Sequence, residues 1–86
     1  MTPEQYEKAS QQASEAVLRA VAQQARKEYE HQQARIKVRD ASDAEVGSAG
    51  EQLYRASQQW RAAQRQAEDS VNQLLNVHRD YLNNPE

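Results

Sequence analysis

The chain has 86 residues, a formal charge of −2 and no cysteine. That is one small domain without a disulfide or a thiolate metal site, and its charge balance argues against a general binder of nucleic acid or anionic membranes. The hydrophobic fraction of 37% is largely alanine, and phenylalanine is absent, so the few large apolar side chains offset only part of the ordering entropy and association with another chain is expected.

The first element announces itself. In Thr2-Pro3-Glu4-Gln5, threonine is a natural N-cap, proline fits the first helical position, and Gln5 completes a capping box. No glycine or proline interrupts the chain from there to about Arg39, which predicts a first helix over about 3–39. The same opening residues lack the basic and apolar regions of a signal peptide, and no apolar run is long enough to span a membrane. A cytoplasmic chain is expected, with signal-less secretion left open.

Asp40 to Gly50 gathers turn-forming residues, including Gly47 and Gly50, the only glycines of the chain. This predicts a loop over about 40–48, with Ser42 and Glu45, or Ser48 and Glu51, as a capping pair for the second helix. That helix is expected over about 49–83, ended by Asn83-Asn84-Pro85 because the residue before proline is pushed out of helical geometry. Within it Leu53, Trp60, Ala67, Leu74 and Tyr81 recur every seven residues. Ala49, Ala56, Ala63, Ser70 and Val77 interleave with them. This is the three-and-four spacing that keeps one helical seam against a partner helix.

Two helices of about 35 residues, each roughly 50 Å long, joined by a short loop, predict an all-α antiparallel hairpin. Folding about residue 44 sets Ile36 beside Leu53, Tyr29 beside Trp60, Ala25 beside Ala63, Ala22 beside Ala67 and Leu18 beside Val71. Toward the termini the stripe on the first helix shifts to Tyr6, Ser10, Ala13 and Val17, opposite Leu82, His78, Leu75 and Val71. The end of the second helix is apolar over more than one face, the mark of a helix with neighbours on two sides. Leu74, Val77 and Tyr81, with the small surface of Ala16 and Ala20, are therefore the expected partner-binding residues, giving a homodimeric four-helix bundle or docking on helices of a larger protein. The alternative reading is that these residues complete the two-helix core.

Other motifs carry less. Glu28 and His31 form one Glu-x-x-His pair, but no acidic residue of the second helix faces them, so no metal site is expected. His78 lies in the seam without a partner acid or histidine, and nucleophile elbows and phosphate loops are absent, so neither catalysis nor a cofactor is expected. Arg35, Lys37 and Arg39 form the one basic cluster, which complements the negative end of the first helix and is a possible anion contact at the hairpin tip. Secreted hairpins of the Trp-x-Gly type carry tryptophan in the turn, whereas Trp60 lies mid-helix and is followed by Arg61-Ala62, so that signature fails. The function expected is a non-enzymatic protein-binding module such as an adaptor, inhibitor or chaperone. A structural subunit of a virion or filament, and a weak nucleic-acid-binding hairpin, are the alternatives.

Overall fold

The computed structural model describes residues 1–84, in which α1 (Pro3–Asp40) and α2 (Val46–Asn83) pack side by side as a helical hairpin. The start of α1 is the expected capping box. Thr2 Oγ1 accepts from the Gln5 N–H at 3.2 Å, and Gln5 Oε1 accepts from the Thr2 N–H at 3.0 Å. Lys37 and Arg39 occupy its last turn, where cations meet the negative end of the helix dipole.

The turn is tighter than the sequence suggests, because α2 begins at Val46 and takes both glycines into its first turns. Ser42 organises it. Its carbonyl accepts from the N–H groups of Glu45 and Val46 at 2.9 and 3.0 Å, and its hydroxyl donates to Glu45 Oε1 at 2.8 Å. Of the two expected capping pairs, Ser42 with Glu45 makes contact, but between side chains. Glu45 stands at the N-cap without a side-chain cap bond. At the far end the Asn84 N–H closes on the Asp80 carbonyl at 3.0 Å. The proline stop at Pro85 lies outside the described residues.

The seam of α2 is the heptad stripe read from the sequence: its positions from Ala49 to Tyr81 are all buried or half-buried. On α1 the terminal half faces inward as expected through Tyr6, Ser10, Ala13 and Val17. Leu82, Leu75 and Val71, expected opposite them, are however exposed, and Tyr81, Leu74 and Ser70 stand in the seam instead. The loop half of α1 is not as expected. Ala20, Gln24, Lys27, His31, Ala34 and Val38 continue the same heptad phase into the interface, while Leu18, Ala22, Ala25, Tyr29, Gln32 and Ile36 are exposed. The expected stripe needs a one-residue phase jump at Val17–Leu18. A continuous helix avoids it by accepting three polar residues in mid-seam, so Tyr29 does not meet Trp60 and Ile36 does not meet Leu53.

Among the described residues the buried ones are Ala20, Ala34, Ala49, Ala63 and Ala67. Alanine at every such position lets two helices approach closely but buries little apolar area. The molecule measures 66 × 15 × 12 Å, and its radius of gyration is 19.2 Å, against about 12 Å for a compact chain of this length. It is a rod two helices wide.

Candidate interaction surface

Three side-chain clusters fix the register of the hairpin. At the open end Tyr6 stacks on Tyr81 with ring centroids 4.1 Å apart, and the Tyr6 hydroxyl hydrogen-bonds His78 Nδ1. The His78 ring also meets the Tyr6 ring edge-on at 5.6 Å. Midway, Trp60 stacks on His31 at 4.9 Å. Its indole Nε1 is buried and makes no hydrogen bond. Lys27, in the seam, donates to Gln59 across the interface at 3.2 Å and to Glu30 on its own helix at 3.1 Å. A cation at a seam position fixes alignment at some cost in stability.

Extending the Tyr6–Tyr81 register heptad by heptad places Ala13 across from Leu74, Ala20 from Ala67 and Ala34 from Leu53. Leu74 and Leu53 on α2 thus meet alanine on α1, and Ala20 meets Ala67, so the two helices approach closely at these layers. Leu74, Val77, Tyr81 and Ala20, expected at an intermolecular patch, are consumed largely inside the hairpin: Ala20 is buried and the other three are half-buried. Ala16 and Val77 border an open groove together with Ala9, Ala13, Gln12, Gln73 and Asn76, a mixed setting of small apolar and amide side chains. The surplus of apolar residues inferred from the sequence exists, but it stands one position further round each helix.

Every seam residue has a neighbour on each side, and the two sides differ in chemistry. Residues immediately following seam positions lie on one flank of the rod; Val21 and Val71, one from each helix, line a shared groove there. This flank carries Leu18, Val21, Val71, Leu75 and Leu82, which are 70, 48, 40, 51 and 75% exposed. Residues immediately preceding seam positions lie on the opposite flank, where Arg19, Gln23 and Gln66 line another shared groove. No leucine, valine or isoleucine occupies a preceding position in either helix. One flank carries exposed aliphatic side chains, interspersed with Glu7, Glu28, Arg61 and Glu68, and the other is glutamine-rich.

Sequence reasoning misses these five apolar residues as a site because it places Leu18 in the seam and pairs its neighbours with it. Their signal is nonetheless present: Val71, Leu75, His78 and Leu82 repeat at three and four residues, one step behind Ser70, Leu74, Val77 and Tyr81.

At the tip the basic residues do not converge. Arg35 and Arg39 border one groove and Lys37 another. Arg39 is engaged with the adjacent Asp40 at 3.0 and 3.3 Å, an exposed pair that raises the Arg39 pKa and lowers that of Asp40, in each case chiefly through the side-chain hydrogen bond. Glu28 is exposed and His31 is turned onto Trp60. Among the described residues no group of three or more histidine and acidic side chains is placed to hold a metal ion, and no helix is long and apolar enough to cross a membrane.

No protein-family model, curated protein or solved structure matches this chain.

Proposed function

We propose that this hairpin is a protein-interaction module that works by burying its leucine flank against helices of another chain, not by catalysis. The observation that carries the proposal is the contrast between its two flanks. Five leucines and valines stand exposed on one side, while in the seam only alanines are fully buried and the larger side chains are half-buried. Val21 and Val71 share their groove with Glu68, Gln24 and Asn72, but exposed aliphatic side chains gathered on one face are the usual mark of a docking face, and anchors at three- and four-residue spacing are how helical partners are read. Its lack of cysteine fits a cytoplasmic setting.

The full chain serves as bait in extracts of its native host. Leu18→Asp with Leu75→Asp is compared with a control pair on the other flank, Gln23→Glu with Gln66→Glu. A defined helical protein, or the chain itself, is expected to be retained by the wild type and by the glutamine-flank variant and lost from the leucine-flank variant. Retention that ignores the leucine flank would refute the proposal.

A further inference from the structure

We infer that the chain covering the leucine flank is a second copy of this one, laid alongside it about a two-fold axis parallel to the rod, with both tips at the same end. The inference rests on the docking role of the leucine flank and adds the identity and alignment of the partner.

Surface area is the first argument. The hairpin exposes 6496 Å², whereas a compact folded chain of its mass exposes about 5,200 Å². The excess, about 1,300 Å² per chain, falls within the share that each subunit contributes to an obligate interface of 2,000–5,000 Å² in total. A second identical rod is the simplest partner that removes this excess from both molecules at once. Each copy would bring the same leucines and valines to the joint, as an isologous interface requires.

Charge supplies the alignment. In the Tyr6–Tyr81 register, Glu28 and Arg61 stand at nearly the same height along the rod. Both lie on the leucine flank, toward the tip from Leu18 and Val71. Both are exposed, and neither belongs to an ion pair among the described residues. A two-fold axis parallel to the rod sets α1 of one copy against α2 of the other at equal heights. Leu18 of each copy then meets Val71 of its neighbour, Glu68 is brought alongside Leu18 and Val21, and Glu28 faces Arg61. Near the open end the same operation brings Glu7 toward His78. The head-to-tail alternative, centred on the apolar belt, carries Arg61 onto Leu82 and leaves Glu28 with no cation across from it, whereas Glu68, exposed on the same flank, meets apolar surface in either alignment. Complementary charge selects alignment more strongly than it adds affinity.

The experiment is sedimentation equilibrium on the purified chain, combined with spin labels on a Ser42→Cys variant; the native chain has no cysteine to confuse the labelling. The expected mass is twice 9.8 kDa. Tip-to-tip label distances should be on the order of 20–30 Å, a few interhelical spacings. Glu28→Arg should weaken dimerisation about tenfold, and adding Arg61→Glu should restore it to within about twofold. These exposed substitutions leave the seam intact, so a loss of folding cannot imitate the result. A single-chain mass throughout the micromolar to millimolar range would overturn the inference, as would a mass above two chains. Label distances approaching the 66 Å length of the rod, or a double variant no better than Glu28→Arg alone, would also overturn it. If the purified chain is a monomer while a host protein is held through Leu18 and Leu75, the second copy is wrong and the docking flank stands. If neither occurs, both are wrong.

Discussion

Trp60 is the largest side chain of the seam, and it is held by stacking on His31 while its indole N–H goes unpaired. A buried donor without an acceptor costs about 1–3 kcal/mol, so removing it recovers part of what the smaller ring loses. Trp60→Phe is therefore expected to change the unfolding free energy by no more than about 1 kcal/mol, whereas Trp60→Ala should cost about 3 kcal/mol or more; chemical denaturation measures both. At the open end, Tyr6→Phe keeps the stack on Tyr81 and loses the bond to His78, an expected loss of about 1 kcal/mol. The Arg39–Asp40 pair shows a direction without much consequence. Asp40 has its pKa lowered on folding, so its contribution is present above the ordinary carboxylate range and is lost as pH falls through the lowered value. Because the pair is fully solvated, Asp40→Asn should leave the thermal midpoint unchanged within error.

Each helix carries its own internal contradiction. In α2 the stabilising heptad begins beside two glycines that the turn does not require. Neither has a positive φ, and an added Cβ meets nothing within 4 Å at Gly47 or Gly50. Replacing either with alanine should raise stability by about 0.5–1 kcal/mol, read as a higher melting temperature. These glycines are also why the sequence suggests a longer loop: they look like turn residues and are helical ones. The α2 seam is legible because its large residues are unambiguous, and the cap at Thr2 is legible because capping chemistry is local. The loop half of α1 is not. Leu18, Tyr29 and Ile36 make a more apolar stripe than Gln24, Lys27 and His31, and local hydrophobicity favours the wrong face. What decides is continuity. Tyr6 to Val17 and Ala34 to Val38 lie on one phase, and an unbroken helix must present whatever falls between them. The same misleading stripe hides the docking flank, because Leu18 cannot both line the seam and stand outside it.

As a whole molecule the chain is a rod whose fully buried residues are alanines and which leaves Leu18, Val21, Val71, Leu75 and Leu82 exposed, an exposure that a second layer of helices would remove. Leu18, Val21, Val71 and Leu75 then become the interior of a four-helix assembly, while Tyr29 and Ile36 on the outer face of α1 stay in water. The decisive measurement is methyl NMR with a soluble paramagnetic broadening agent at millimolar protein. Methyl signals of Leu18, Val71 and Leu75 are expected to be shielded from the agent while that of Ile36 is broadened, and the shielding should disappear on dilution. Broadening of Leu18 and Leu75 equal to that of Ile36 at every concentration would contradict burial of this flank by a second copy of the chain.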